Sequence, residues 1–282
     1  MDLPGKGVIP VDMNGVALTS LWVAAWRAAE SERPDALFRD PYARRLAGPE
    51  GFAVLDAARK VAPIEAPTIP VRTRFFDQRI VAGTQVVILA AGMDSRAFRL
   101  AWPAATRLFE VDQPQVLALK QERLAGALPT CERIVVPVDL ADEWPAALSS
   151  RGFRSGAPTV WLVEGLLPYL DEPLVRGLLT RLDRLSAPGS LFLGDLIGKA
   201  LLFLPQMRPM LEFVEKLGAP WRFGTDEPEE LLEPLGWTVT AHDLGTFAAE
   251  VGRWPWPIVP RSVPGVPRSF LVEATRGQAL LR

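Results

Sequence analysis

The sequence predicts an α/β fold built on a mostly parallel sheet, and three observations support this prediction. Short apolar runs of the kind that a parallel sheet buries on both faces recur along the chain. Helix-length segments such as 113–126 and 172–186 separate them, which is the alternation typical of βαβ units. The last two strand-like runs have no obvious crossover helix between them, so we expect an antiparallel closing strand.

Helical segments are predicted before the first strand. Residues 16–30 carry apolar side chains all round at helical spacing, which is typical of a buried or groove-covering helix. Asp40 followed by proline resembles a helix start, and Gly48 suits a helix end, so we expect a short second helix between them. Another short helix, a loop or lid with three prolines at 62–70 and an amphipathic run at 71–82 follow.

Seven apolar runs have the character of strands, and in chain order they are 85–90, 106–111, 133–138, 159–163, 190–194, 237–242 and 269–275. The chain is long enough for one large hydrophobic core, so a single domain is the simplest prediction. We expect residues 1–70 to form a helical cap or lid. Residues 71–282 would then form the core, with an insertion around 199–235.

Composition excludes several classes of function. The 31 basic and 33 acidic residues give a formal net charge of -2 without a long block of one sign, which disfavours nucleic acid as a partner. The single cysteine, Cys131, and the lack of paired Cys/His spacing predict a metal-free protein of a reducing compartment. No run approaches the roughly 20 apolar residues of a membrane span. We therefore expect a cytoplasmic monomer or homodimer.

The turn after the first strand carries the strongest functional signal. It reads Ala90-Ala91-Gly92-Met93-Asp94-Ser95 and leads into a helix, so backbone N–H groups can face a ligand. Two of the three glycines of a dinucleotide-binding loop are missing, and Asp94 would stand beside a pyrophosphate. S-adenosylmethionine has no phosphate and carries a cationic sulfonium and ammonium, so acidic residues around the turn favour it.

Acidic residues recur at the ends of the following strands. Glu110 and Asp112 lie 18 and 20 residues after Gly92, a distance that suits hydrogen bonds to ribose hydroxyls. Asp139 ends the third strand, where it can reach an adenine amino group. Glu164 ends the fourth strand, close to the expected transfer point, and would be costly to bury without a cationic partner.

Other roles are open for several of these residues. Glu110 and Asp112 cannot both bond the same ribose pair equally well, and we prefer Asp112. Asp94 and Arg96 could form a local charge arrangement at a helix start. Asp139 could cap the helix that begins near residue 142.

Several ordered motifs resemble one known family. They are TSLWVAAWRAAESERPDALFRDPYA (19–43), RTRFFD (72–77), ILAAGMDSRAFRL (88–100), FEVDQP (109–114), VPVDL (136–140) and EGLLPYL (164–170). Together they look like the leucine carboxyl methyltransferase family, and more closely its bacterial branch of S-adenosylmethionine-dependent and polyketide-type O-methyltransferases. The likeness extends to about residue 198. It implies a Rossmann-like class I methyltransferase fold with a seven-stranded sheet, an antiparallel closing strand and an N-terminal helical cap.

The resemblance also implies roles for individual residues. Arg72 matches the arginine that pairs with the cofactor carboxylate, and Gly92 the glycine under the methionine moiety. The remaining matches are the ribose-binding Asp112, the adenine-contacting Asp139 and Leu140, and Glu164 facing the cofactor amino group. The chain departs from the family at Ala90, where glycine is usual. It also has no clear counterpart, within 16–30, of the lysine that assists the cofactor carboxylate in eukaryotic members, which argues against their protein phosphatase substrate.

The methyl acceptor is predicted from the scarcity of general bases. A carboxylate is already ionised at neutral pH and needs no base, which fits a chain with one histidine and one cysteine. Tyr169 could line the transfer site or only pack against the core. His242 could serve as a base, although a surface position at the end of a strand suits it better. Most of the tryptophans are expected in the core or in a lid. The segment 254–257, which contains two of them, could face an apolar acceptor.

The leading hypothesis is therefore O-methylation of a carboxylate on a small molecule, polyketide-like or another secondary metabolite, or on a peptide. Methylation of a phenolic or alcoholic hydroxyl is the alternative. A non-catalytic S-adenosylmethionine-binding module is a third hypothesis, and a nicotinamide-dependent oxidoreductase is a distant fourth.

Overall fold

A computed structural model describes residues 15–61 and 67–277 of the chain. Its centre is a seven-stranded sheet with the strand order β3-β2-β1-β4-β5-β7-β6. The strands are β1 (Gln85–Leu89), β2 (Arg107–Asp112), β3 (Glu132–Pro137), β4 (Val160–Val163), β5 (Leu191–Ile197), β6 (Trp237–Asp243) and β7 (Ser269–Arg276). The seven strands agree with the seven predicted runs to within about three residues at each end, because continuous apolar runs leave little choice of position.

Helices cover both faces of the sheet. They are α1 (Gly15–Ser31), α2 (Ala43–Val61), α3 (Thr68–Arg79), α4 (Arg96–Arg99), α5 (Pro114–Arg123), α6 (Trp144–Ser150), α7 (Glu172–Leu185), α8 (Arg208–Lys216) and α9 (Leu244–Glu250). Gly48 interrupts α2 with φ of 58° and ψ of 177°, which agrees with the predicted helix end at this glycine. Within the described parts of the chain, no helix combines the length and apolar character that a membrane span requires.

The chain changes direction at the centre of the sheet. From β1 it runs outward through β2 to β3 and then returns to β4 on the other side of β1, and both β2 and β4 pair with β1 in parallel. A crevice for ligands opens at such a switch point, beyond the carboxyl ends of the strands. On the far side, β7 runs antiparallel between β5 and β6, which confirms the predicted antiparallel closing strand.

The alternation of side chains along β1 divides the core into two layers. Val86 and Ile88 pack with α1, α3 and their neighbours, whereas Val87 and Leu89 pack with α6 and α7 on the other face. All five residues of β1 are buried. The strand that leads into the glycine turn is therefore held rigidly from both sides.

The N-terminal cap and the segment between β5 and β6 pack together. Trp22 of α1 meets Phe213 of α8 with ring centroids 5.9 Å apart, and Val54 of α2 lies in the same apolar cluster as Val214. The region predicted as an insertion thus closes against the region predicted as a cap. Both border the crevice at the carboxyl ends of the strands.

The structure corrects two sequence-based expectations. Thr68, Ile69 and Pro70 lie in the first turn of α3, where proline is tolerated, so the predicted loop or lid at 62–70 ends earlier. Its remaining residues, 62–66, lie outside the described residues, as do 1–14 of the cap and 278–282. A short helix, α9, stands between β6 and β7, where none was expected; the Asp243 carboxylate caps it by accepting the Thr246 N–H at 3.0 Å.

Candidate active site

A cavity of about 1200 Å³ opens at the carboxyl ends of the central strands. The glycine turn at 90–94, Asp112, Asp139 and Glu164 all line it, and we refer to them as its polar half. Large aromatic and thioether side chains line it as well, and we refer to them as the aromatic chamber. Its defining side chains are Trp22, Trp26, Met207, Met210, Trp221 and Trp254.

The glycine turn has an unusual backbone. Gly92 has φ of +44°, and Ala90 has φ of +52°, which a residue with a β-carbon seldom adopts. A β-carbon at Gly92 would come within 2.8 Å of the Ser20 β-carbon on α1. The turn therefore depends on glycine for both conformation and space, and α1 lies directly on it.

Asp112 fixes the turn from the neighbouring strand. Its Oδ2 accepts the Gly92 N–H at 2.6 Å and its Oδ1 accepts the Gln113 N–H at 2.7 Å. Burial raises the pKa of Asp112, and these two hydrogen bonds oppose that shift. The carboxylate lines the cavity at the edge of the sheet, as the sequence predicts for a ribose-binding acid.

Asp139 and Leu140 line the same half of the cavity, beyond β3. The Gln113 side chain donates to Asp139 Oδ2 at 2.7 Å, and the Ala141 N–H donates to Oδ1 at 2.9 Å. The alternative role of Asp139 as a helix cap is not seen, since α6 begins at Trp144. Asp139 instead shapes the loop that borders the cavity.

A buried ion cluster joins the cap, the turn and the sheet. Arg72 bonds Glu164 through Nε at 2.9 Å and Asp195 through Nη1 at 2.8 Å. Arg96 bonds the second oxygen of Glu164 at 2.8 Å, and it also bonds Asp94. The cluster comprises Arg27, Asp40, Arg72, Asp77, Asp94, Arg96, Arg99, Glu164 and Asp195.

The pKa values follow from burial and from these ion pairs. Burial alone would raise the pKa of Glu164, but Arg96 and Arg72 lower it below its ordinary value. The same balance, dominated by Arg96, lowers the pKa of Asp94 to about 2. Burial raises the pKa of Asp195, and the nearby Glu164 carboxylate adds to that increase.

The ion cluster contains five carboxylates and four guanidinium groups, so formally it carries one excess negative charge. A buried excess charge is costly unless a partner neutralises it. A cationic ligand in the polar half of the cavity would supply that neutralisation. The ammonium and sulfonium groups of S-adenosylmethionine have the required charge.

Glu110 does not reach the cavity, which corrects the expectation that it contacts the cofactor. Its side chain is fully buried between Lys120 Nζ at 2.8 Å and Arg133 Nη2 at 2.7 Å. Glu110 and Asp112 point to the same face of β2, but Glu110 lies two residues, roughly 6.6 Å, below the carboxyl edge of the sheet. Its role is to hold α5 and β3 against β2.

Tyr169 and His242 have different environments. Tyr169 lines the cavity, hydrogen-bonds with Trp221 and Thr19, and has its pKa raised by burial. His242 lies on β6 outside the cavity lining, with its ring 5.1 Å from that of Phe75 and its Nε2 4.0 Å from Glu273. Burial and the charge of Arg79 lower the pKa of His242. Tyr169 therefore stays a candidate, whereas the alternative of His242 as a general base is not supported, because His242 lies near the end of β6 as the preferred prediction has it.

Sequence reasoning missed Asp195 and the arginine Arg27. Asp195 lies within β5, in the apolar run Leu191–Ile197, and its Oδ1 accepts the Gly165 N–H at 2.6 Å. A charged residue inside a buried strand is itself a signal of a site, because its burial demands a partner. Arg27 pairs with Asp40 at 3.0 Å and also bonds the Met93 carbonyl oxygen, contacts that no sequence spacing indicates.

Comparison with known proteins settles the family. The model of the family described as leucine carboxyl methyltransferase matches residues 20–183, which is more than half of the chain. The chain belongs to this family. The matched range contains the glycine turn and every cavity-lining acid from Asp94 to Glu164.

Relatives from actinobacteria agree with this assignment. A protein of Streptomyces coelicolor is 41% identical, with 86% of this chain and 90% of that protein covered. One of Parafrankia sp. is 42% identical, with 85% and 82% covered. One of Mycobacteroides abscessus is 48% identical over 63% of this chain and 62% of its own length. The names of all three describe candidate S-adenosyl-L-methionine-dependent methyltransferases.

Two solved structures share the fold of this chain. A candidate methyltransferase from Thermobifida fusca matches with a TM-score of 0.60 at 18% identity, over 84% of this chain and 93% of that one. A DUF574 family protein from Streptomyces avermitilis matches with a TM-score of 0.58 at 17% identity, over 83% and 95%. The protein is thus an S-adenosylmethionine-dependent methyltransferase with a Rossmann-like fold.

Proposed function

We propose that the methyltransferase transfers the methyl group to a carboxylate oxygen of a small molecule or peptide. The observation that carries this proposal is the position of the Tyr169 hydroxyl, between the ion cluster and the aromatic chamber. The Tyr169 hydroxyl can both donate and accept, and it would turn its hydrogen toward an acceptor carboxylate held in the cavity. A raised pKa keeps this hydroxyl protonated at neutral pH, which suits an anionic substrate.

The polar half of the cavity would provide the contacts that the cofactor needs. The Asp112 carboxylate would accept from ribose hydroxyls, while Asp139 and Leu140 would contact the adenine ring. Arg72 retains N–H donors beyond those used by Glu164 and Asp195, and they would bind the cofactor carboxylate. The Glu164 carboxylate, held ionised by Arg96 and Arg72, would face the ammonium group.

Methyl transfer to a carboxylate requires a well-positioned acceptor oxygen and no proton transfer. S-adenosylmethionine supplies an electrophilic methyl group, whose bond to sulfur breaks as the bond to the acceptor oxygen forms. The chain has to hold that oxygen in line behind the methyl group and exclude water. Tyr169 would donate a hydrogen bond that orients the acceptor carboxylate, and the apolar chamber walls would keep the path dry.

One observation favours a hydroxyl acceptor instead. Asp195 is buried within the ion cluster with a raised pKa, which makes it a stronger base than an ordinary aspartate. Arg72 and the Gly165 N–H both bond this carboxylate, and these contacts oppose proton uptake. We therefore prefer the carboxylate acceptor.

The alkali lability of the product distinguishes the two acceptors. The enzyme is incubated with cofactor that carries a labelled methyl group and with pairs of acids and the corresponding alcohols. We expect label in the acid products only, and we expect mild alkali to release it as methanol because a methyl ester hydrolyses. Label that resists alkali and is lost in Asp195→Asn would contradict the carboxylate proposal and support the hydroxyl alternative.

The variant Tyr169→Phe tests the assigned donor in the same assay. We expect the rate to fall by about tenfold, the equivalent of one hydrogen bond of roughly 1.4 kcal/mol, with the affinity for S-adenosylmethionine unchanged. An unchanged rate would show that Tyr169 only packs.

A further inference from the structure

Asp195 is a buried carboxylate in a strand whose other residues are apolar or glycine. It lies in β5, within the run Leu191–Ile197, and lines the same cavity as Arg72 and Glu164. A buried ion pair can often be replaced by apolar residues without loss of stability. Stability alone therefore does not account for a carboxylate at this position, and a role in the site is the better explanation.

The two oxygens of the Asp195 carboxylate bond two different elements. Oδ2 accepts a hydrogen bond from Arg72 Nη1 of α3 at 2.8 Å, and Oδ1 accepts the Gly165 N–H, just after β4, at 2.6 Å. The carboxylate thus ties α3 to the turn that follows β4. Because both oxygens bond protein groups, Asp195 acts on a ligand through Arg72 and Gly165.

Arg72 is held in one orientation by two carboxylates. Glu164 accepts from its Nε at 2.9 Å, while Asp195 accepts from Nη1, so the plane of the guanidinium is fixed at two points. The N–H groups that these two bonds leave over then also have fixed directions. An arginine oriented in advance binds a carboxylate with less loss of side-chain freedom, and it can do so in a bidentate manner.

Gly165 provides the surface against which the guanidinium lies. Its φ of +66° favours glycine, and a β-carbon here would stand 3.2 Å from Arg72 Nη2 and 3.3 Å from Nη1. The lack of a side chain therefore lets the guanidinium approach the turn closely. The bond from the Gly165 N–H to Asp195 holds the turn in this place, so one carboxylate sets both the arginine and its support.

We propose that Asp195 is a positioning residue for the amino-acid end of the cofactor. It aligns Arg72 for the cofactor carboxylate and, through the Gly165 turn, holds the adjacent Glu164 in place for the ammonium group. This inference rests on the proposed function, which takes Arg72 and Glu164 as the contacts of these two cofactor groups. Loss of the Asp195 carboxylate should then affect ligands that have an amino-acid end and spare ligands that lack one.

Calorimetric binding to the full chain tests the proposal with S-adenosylhomocysteine and methylthioadenosine as probes. Both contain adenine, ribose and a thioether and carry no net charge at neutral pH, but only S-adenosylhomocysteine has the amino-acid end. We expect Asp195→Asn to weaken S-adenosylhomocysteine by at least about tenfold and methylthioadenosine by less than about twofold. Equal weakening of both probes, as a merely structural role predicts, or unchanged binding of both would overturn the proposal.

Asp183→Asn is the matched control for the loss of a carboxylate. Asp183 also pairs with an arginine, Arg276, and accepts the Trp237 indole N–H at 2.8 Å, but it lies outside the cavity lining. We expect both probes to bind this variant within about twofold of the wild type. The same selective loss of S-adenosylhomocysteine in Asp183→Asn would contradict a specific role for Asp195.

Gly165→Ala displaces the guanidinium without changing any charge, and it is the second probe if Asp195→Asn fails to fold. We expect it to weaken S-adenosylhomocysteine by about fivefold and methylthioadenosine by less than about twofold. Gly189→Ala is its control, because Gly189 has φ of +81° and a β-carbon there would meet Pro158 Cγ at 4.0 Å, away from the cavity. Equal affinities of the two glycine variants for S-adenosylhomocysteine would contradict the proposal.

The wild-type protein separates failure of this inference from failure of the proposed function. If the wild type bound both probes equally tightly, Arg72 and Glu164 would not contact the amino-acid end, and the proposed cofactor contacts would fail. If it preferred S-adenosylhomocysteine and Asp195→Asn kept that preference, only the positioning role would fail. An alkali-stable methyl label would overturn the carboxylate acceptor and leave the role of Asp195 intact.

Discussion

Ala90 shows how a single residue can carry strain at a binding turn. It occupies a left-handed conformation with φ of +52°, immediately after β1 and two residues before Gly92, whose φ is also positive. Glycine adopts this conformation without the penalty that a β-carbon brings. The turn keeps its shape because Asp112 bonds the Gly92 N–H and because the Ala91 N–H donates to the Val111 carbonyl at 3.1 Å.

The variant Ala90→Gly should leave the free energy of unfolding unchanged or raise it modestly. Relief of the left-handed conformation is worth roughly 1–2 kcal/mol, and the added freedom of glycine in the unfolded chain costs about 0.5–1 kcal/mol. We expect a change between zero and about 1.5 kcal/mol in the stabilising direction, measured by urea unfolding.

Ala97→Gly is the matched control for this prediction. Ala97 is fully buried in α4 at a helical φ, so the same substitution should destabilise the protein by about 1 kcal/mol or more. If Ala90→Gly and Ala97→Gly lowered the free energy of unfolding by the same amount, the positive φ at Ala90 would not be a source of strain.

Among the elements, α1 connects the cap to the polar half of the cavity. Ser20 packs on Gly92, and Arg27 donates to the Met93 carbonyl oxygen while its Nε bonds Asp40 at 3.0 Å. Asp40 in turn accepts the Ser95 hydroxyl at 2.6 Å. The helix thus holds both sides of the turn in place.

The variant Arg27→Gln should weaken both folding and cofactor binding. Loss of one partner from a buried ion pair costs about 3–5 kcal/mol, and we expect the lower end because Arg99 still lies 3.7 Å from Asp40. The free energy of unfolding is measured by urea titration and the affinity for S-adenosylmethionine by calorimetry.

Arg44→Gln breaks an ion pair of the same cap whose partners, Arg44 and Glu32, are 64% and 59% exposed. It should change the unfolding free energy by no more than about 0.5 kcal/mol and leave cofactor affinity unaltered. If Arg27→Gln and Arg44→Gln changed the unfolding free energy and the cofactor affinity by similar amounts, the ion pair of Arg27 would have no specific role in holding the turn.

The elements differ in how well the sequence predicts them. The strands and α7 are predicted closely, because apolar runs and amphipathic spacing act locally. The helix after the glycine turn, α4, has only four residues, and α9 was not anticipated in the Trp- and Pro-rich stretch. Short helices of this kind are held by tertiary contacts and single caps, which periodicity does not reveal.

At the scale of the whole molecule, strand order brings distant acids to one place. Asp94, Asp112, Asp139 and Glu164 follow different strands and meet because parallel strands end at the same edge of the sheet. That part of the site was predictable from spacing and from the family resemblance. The sequence favoured Asp112 over Glu110 for the ribose, but it did not show that Glu110 lies in a core ion pair, since this depends on depth along β2.

The rest of the site depends on ion pairs between residues that are far apart in the sequence. Arg72 and Asp195 are 123 residues apart, and their ion pair forms only when α3 packs beside β5. The excess negative charge of the ion cluster is likewise a property of the assembled molecule. This excess charge would favour a ligand with a cationic centre, even though several arginines line the cavity.

The central claim is that this cavity, at the carboxyl ends of the strands, binds S-adenosylmethionine. Calorimetric titration of the cofactor into wild type, Asp112→Asn and Asp142→Asn tests it most directly. Asp142 is exposed and lies outside the cavity lining, so its variant is a matched control.

We expect one site per chain, with Asp112→Asn weakening the affinity by at least about tenfold through loss of a charged hydrogen-bond acceptor worth roughly 1.5–3 kcal/mol. Asp142→Asn should bind as the wild type does. Equal affinity in Asp112→Asn, with the fold intact by circular dichroism, would contradict the placement of the cofactor in this cavity.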